Sequence, residues 1–227
     1  MKNLFSLLVS FVCFVTYASG QSSPIYYSAS GEMIFSWADM EDNGQEANSL
    51  MRWAPVFNIQ AFANKDVNKS FGLFSGLAIR NVGYIYDDYR DPTSEIIYKK
   101  KFRTYNLGIP FGFKVGNLSK LFFYGGYEIE FPFVYKEKTF DDGDKIDKIS
   151  GWFSNRPESF QHGLLAGIQF PEGINLKFKY YFSEFHNQDY VDADGFKPYE
   201  GLKSNIFYVT MGFMLFRELD EPKGAVE

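Results

Sequence analysis

The feature that most constrains this chain is a two-residue alternation that recurs in eight segments, each of roughly ten residues. In 103–115, Tyr105, Leu107, Ile109, Phe111, Phe113 and Val115 oppose Thr104, Asn106, Gly108, Pro110, Gly112 and Lys114. In 121–135, Leu121, Phe123, Tyr127, Ile129, Phe131 and Phe133 oppose Tyr124, Gly126, Glu128 and Glu130. The same pattern runs through 32–38, 53–62, 71–80, 160–170, 174–183 and 206–216. Successive side chains of a strand point to opposite faces, so this period predicts strands with one apolar and one polar face. Strands of this length match the wall of a tilted barrel crossing a bilayer.

The connections alternate as regularly as the side chains. They run 39–50, 64–69, 86–100, 116–119, 137–158, 171–173 and 184–203, long and short in turn. A membrane barrel has tight turns at one end and extended loops at the other. Asn117-Leu118-Ser119 and Pro171-Glu172-Gly173 carry turn chemistry suited to the tight end.

Period alone fits a soluble sandwich or lipocalin-like barrel equally well, and the chemistry of the two faces decides between them. The apolar face carries large aromatics; the chain holds 26 Phe and 16 Tyr. The opposite face mixes Gly, Ser, Thr, Asn and Gln with Arg80, Lys114, Glu128, Glu130, Lys177 and Lys179. Buried charges require partners. Both signs are present, so these six are predicted to form a structural charge network in a narrow lumen. An apolar exterior around a polar interior predicts an all-β, eight-stranded antiparallel up-and-down transmembrane β-barrel in the cell outer membrane. Trp37, Trp53, Tyr84, Tyr86, Tyr98, Tyr105 and Tyr135 lie near strand ends and are expected to form an interfacial girdle. Pro55, Pro110 and Pro132 fall inside proposed strands, where a closed barrel offers no edge to hide them.

The N-terminus pairs Lys2 with an apolar run, Leu4 to Val15, and a small-x-small site at Ala18-Ser19-Gly20. This predicts a signal peptide over 1–20, a barrel domain over 21–216 and a disordered tail over 217–227. Cys13, the only cysteine, lies within the signal, which leaves no thiol for a disulfide or metal. Loss of Lys2 takes the formal charge from −5 to −6. An acidic exported chain does not predict a nucleic acid partner. Lys99-Lys100-Lys101, flanked by Asp87, Asp88, Asp91 and Glu95, reads as a solvated loop end.

The runs YNLGIPFGFKV (105–115), LFFYGGYEIEF (121–131), FQHGLLAGIQF (160–170) and INLKFKYYFSEF (174–185) resemble the small outer-membrane β-barrel domain family of Bacteroidetes, the PorT-like barrels. The likeness covers 102–216 best and includes the spacing of Gly163 and Gly167. It implies an eight-stranded barrel, and one branch of that family assists protein secretion.

Candidate chemistry is sparse. Ser159 and His162, with Glu158 beside them, suggest the rim of a lipid A-modifying enzyme, but residues three apart on a strand face opposite sides. His186 lies in a long loop with Glu184 and Asp189. Asp141-Asp142-Gly143-Asp144 and Asp192-Ala193-Asp194-Gly195 hint at calcium, but in an EF-hand frame Tyr190 and Gly201 occupy ligand positions. No catalytic, cofactor or metal residue is therefore predicted. The expected role is structural or interactive: a monomeric barrel whose partners are outer-membrane lipid and an envelope protein met through the outer loops. A rim enzyme and a soluble periplasmic ligand binder are the alternatives.

Overall fold

Each alternating segment forms strand, 53–62 with a break between Ala54 and Ile59. The computed structural model describes residues 24–91 and 96–217, so the predicted signal segment and nearly all of the tail lie outside the described residues. The strands are β1 (Ile25–Asp42), β2 (Gln45–Leu50), β3 (Arg52–Ala54), β4 (Ile59–Asp66), β5 (Phe71–Arg90), β6 (Ile97–Gly116), β7 (Phe122–Asp141), β8 (Asp144–Trp152), β9 (Gln161–Gln169), β10 (Ile174–Tyr181) and β11 (Leu202–Arg217). Arg217, assigned to the tail from sequence, ends β11.

All pairings are antiparallel. β2, β3 and β4 take turns against β1 as one interrupted wall strand. β8 and β9 do the same against β7. The remaining strands pair in chain order, and β11 returns to pair with β1 from Ser28 to Asp42. The sheet therefore closes as eight wall strands, with β8 extending above the ring and paired on its β7 side alone.

The core is inverted relative to a soluble barrel. On β6, Leu107, Ile109, Phe111, Phe113 and Val115 point outward and are 38–48 % exposed, while Thr104, Asn106 and Lys114 are buried inside. This belt ends in an aromatic rim, where Phe57, Tyr105, Phe133, Trp152 and Phe153 follow one another at ring separations of 5.8–6.5 Å.

Much of the predicted long-loop length is strand. β1–β2 turns over Asn43-Gly44 (φ 51° and 78°), and β7–β8 over Asp142-Gly143 (φ 45° and 93°). Both pairs have two residues at positive φ, the geometry a type I′ hairpin needs and Asn-Gly or Asp-Gly supplies. The Asp141–Asp144 acids therefore cap a hairpin. Among the described residues the longest irregular connection is the segment between β10 and β11, and a shorter one joins β8 to β9.

Each troublesome proline sits where the ladder is already interrupted. Pro55 lies in the break between β3 and β4. At Pro110, the β5–β6 ladder pairs Ser75 with Phe111 and next Ala78 with Gly108, stepping over the proline. Pro132 forms a β-bulge, with Tyr105 facing Val134 but Asn106 facing Pro132. On its other side the neighbouring wall strand is broken between β8 and β9. A residue without an N–H is tolerated at these positions.

The bulge also inverts the phase of β7. Below it Glu128 and Glu130 point inward; above it Tyr135, Glu137 and Thr139 do. Tyr135 is therefore interior, which corrects its place in the expected girdle. Tyr84 and Tyr86 are also buried, because they share the inward parity of Arg80 on β5. The outward rim instead uses Phe57, Phe133 and Trp152 beside Trp53 and Tyr105.

Candidate functional site

The interior is filled in three layers. At its middle, Arg80 donates from Nη1 to Glu32 Oε2 (2.7 Å), from Nε to Glu128 Oε1 (3.1 Å) and from Nη2 to Gln60 Oε1 (2.6 Å). Lys177 Nζ lies 2.7 Å from both oxygens of Glu32. Lys179 Nζ donates to Glu128 Oε2 at 2.7 Å and also pairs with Glu130. Tyr181 OH and Asn106 Nδ2 donate to Glu130, each at 2.7 Å. Glu32, Glu128 and Glu130 balance Arg80, Lys177 and Lys179, and all six are buried. Charges removed from water persist only with such compensation.

Backbone makes room for this cluster. Gly108 on β6 faces Glu130 across the ladder, and a Cβ there would lie 2.5 Å from Glu128 Oε1. A side chain at this position would occupy the space the carboxylate fills.

Lys114, the sixth predicted lumen charge, lies apart from the cluster. It reaches Asp66 Oδ1 and Tyr26 OH, each at 2.7 Å, at the short-turn end. There a cavity of about 60 Å³ is lined by Tyr26, Asn64, Phe74, Lys114, Tyr124 and Lys177 among others. Glu32 and Asp66 were missed from sequence. Charge balance was the available signal: Arg80, Lys114, Lys177 and Lys179 exceed Glu128 and Glu130 by two. The lumen therefore needed two more acids at inward positions.

The third layer closes the long-loop end. The irregular loop after β10 folds into the mouth and buries His186 completely. His186 Nε2 lies 2.9 Å from Tyr84 OH, and its ring stacks on Tyr199 at 4.3 Å and meets Phe102 at 4.6 Å. Tyr199 and Tyr135 both donate to Glu137 Oε2 (2.7 and 2.9 Å), while Lys100 pairs with its other oxygen at 2.8 Å. Backbone bonds from Phe185 N to Ser204 O (2.8 Å) and from Glu158 N to Phe185 O (3.1 Å) tie the loop to its neighbours. Burial pushes the His186 imidazole down to about 3, so it is neutral at physiological pH.

The residues that suggested chemistry are differently employed. His162 points outward, its Nδ1 2.6 Å from Tyr127 OH and its ring beside Phe160 and Phe182. Asp192 Oδ1 accepts the backbone N–H groups of Asp194 (3.0 Å) and Phe196 (2.9 Å), closing a turn. Among the described residues no group of three His, Cys, Asp or Glu is arranged to hold a metal.

No family model matches the chain, and no curated protein matches it. Several solved structures are similar, two of them over 85 % of this chain. One is Ail, the attachment invasion locus protein of Yersinia pestis, in complex with the heparin analogue sucrose octasulfate: 12 % identity, 85 % of this chain and 99 % of that one, TM-score 0.40. The other is Neisserial surface protein A: 12 % identity, 85 % of this chain and 98 % of that one, TM-score 0.35.

Proposed function

We propose that the chain is a monomeric integral outer-membrane protein with a structural or interaction role, its barrel an anchor and its long-loop end the recognition surface. The observation that carries this reading is the inversion of the core. Lipid satisfies an apolar belt bounded by aromatics, and closure through β11 and β1 pairs the strands that cross the belt. A soluble ligand binder needs the opposite arrangement, with an apolar lumen. With the short turns facing the periplasm, the β1–β2, β5–β6 and β7–β8 hairpins and the loop after β10 face outward.

The lumen is a filled anchor rather than a pore or a catalytic cleft. Eight strands enclose a space that side chains nearly fill, and here the charge cluster and the His186 layer block it in series above the short-turn cavity. His186 is sealed from solvent and His162 is engaged by Tyr127, which disfavours a rim enzyme. Affiliation with the PorT-like barrels, and service as an accessory of an envelope or secretion assembly, extend this reading through the quoted sequence runs.

Membrane fractionation with heat-modifiable gel mobility tests the proposal. The expected result is recovery in the outer-membrane fraction, with faster migration of the unheated protein. Recovery in the periplasm without detergent overturns it.

A further inference from the structure

Above the aromatic rim, the outward face of β6, β7 and β8 gathers cations that the sequence scatters. The register sets Arg103 against Lys136, and Lys101 against Lys138, which in turn faces Lys148. Like charges directly opposite on a sheet are destabilising. Among the described residues none of these five is in an ion pair. Several nearby acids are otherwise placed. Asp87 pairs with Lys99 at 2.9 Å, and Glu137 points inward to Lys100. Asp147 faces Thr139, on the other parity, and Asp141, Asp142 and Asp144 sit at the hairpin tip. The chain as a whole is acidic, at −5, so composition does not account for this concentration of positive charge.

Height is the second observation. Arg103 Cζ and Lys136 Nζ both lie over the ring of Tyr105, at 5.2 and 5.3 Å from its centroid. Tyr105 belongs to the rim where the apolar belt ends. The lower cationic row therefore rests on the boundary of the hydrocarbon. The second row, two residues further along each tilted strand, lies about 5 Å higher. A headgroup layer is about 5–7 Å deep on each side of a bilayer, so both rows fall within or against it.

We infer that this face binds the phosphorylated glycolipid headgroups of the outer leaflet, with Arg103 and Lys136 as the lower contacts and Lys101, Lys138 and Lys148 as the upper ones. The inference rests on the outer-membrane reading above. A phosphate between the rows relieves the cross-strand repulsion, and Arg103 offers a fork suited to phosphate oxygens. The lateral position favours a lipid over a soluble polyanion, because the patch sits against the rim and beneath the hairpin tips.

The test uses the full mature protein in detergent, titrated with diphosphoryl lipid A and with the same lipid after phosphatase treatment, and read by native mass spectrometry. Wild type is expected to prefer the phosphorylated lipid, less so at high salt. The variant K101Q/R103Q/K136Q/K138Q is expected to bind it about tenfold or more weakly, and K65Q/K69Q/K120Q, altered at the short-turn end, as wild type does. Equal binding by the quadruple variant with normal heat-modifiable mobility overturns the inference. So does indifference of wild type to the phosphate groups, or inorganic phosphate binding the patch as tightly as the lipid. Fractionation of wild type reports separately on the membrane reading. A protein that is membrane-integral but phosphate-indifferent loses only the patch, whereas a detergent-free soluble protein loses both.

Discussion

Arg80 on β5 and Glu128 on β7 meet inside the barrel, Nε to Oε1 at 3.1 Å, with both side chains fully buried. Strand β6 lies between them in the wall, so the pair spans the lumen rather than a ladder. Glu128 also receives Lys179, and Arg80 also reaches Glu32. Neither charge can lose its partner without leaving the other in a site closed to water.

Replacing Glu128 by Gln is therefore expected to cost about 3–5 kcal/mol, the penalty of an uncompensated buried charge. Urea unfolding in detergent, followed by tryptophan fluorescence, measures it. A loss below about 1 kcal/mol would contradict the pairing described.

Gly108→Ala places a methyl group against the Glu128 carboxylate, and overpacking of this kind costs about 1–3 kcal/mol. Gly151→Ala is the control, because a Cβ there meets Ser154 Cβ at an ordinary 3.6 Å. The same unfolding assay should separate the two variants. Equal stability would show that the carboxylate moves aside freely.

His186 makes stability depend on pH in one direction. Its folded-state value of about 3 lies below the unfolded value, so between those limits the unfolded chain binds the extra proton. Stability then falls as pH drops below about 6.5, by about 2 kcal/mol between pH 7 and 5. His186→Phe should flatten this slope while keeping the aromatic stack. An unchanged slope in that variant would assign the dependence to other groups.

In planar bilayers, the purified barrel is expected to show no steady ion conductance. The charge cluster and the aromatic closure occupy the lumen in series, and eight strands leave no space beside them. Stable open steps would show that one of these layers moves.

How much was legible depends on the range of the interaction concerned. Period two along 103–115 settles which side of β6 meets lipid, because alternation is a property of the local backbone. The reading of Tyr135 failed because the Pro132 bulge adds a residue and inverts the phase beyond it. Composition does not mark such a shift. The Lys99-Lys100-Lys101 run divides by alternation alone: Lys100 turns inward to Glu137, whereas Lys101 joins Arg103 and Lys136 outside.

By itself the sequence determined the strand content, the inverted polarity and the need for neutral pairing in the lumen. Each follows from alternation and from the cost of burying charge. Only the tertiary structure decided that Glu32 and not Lys114 completes the central cluster, that the loop carrying His186 closes the mouth, and that cations from β6, β7 and β8 share one face. These depend on the register between strands far apart in the chain. That register is set by closure of the sheet, where β11 meets β1, and no local pattern specifies it.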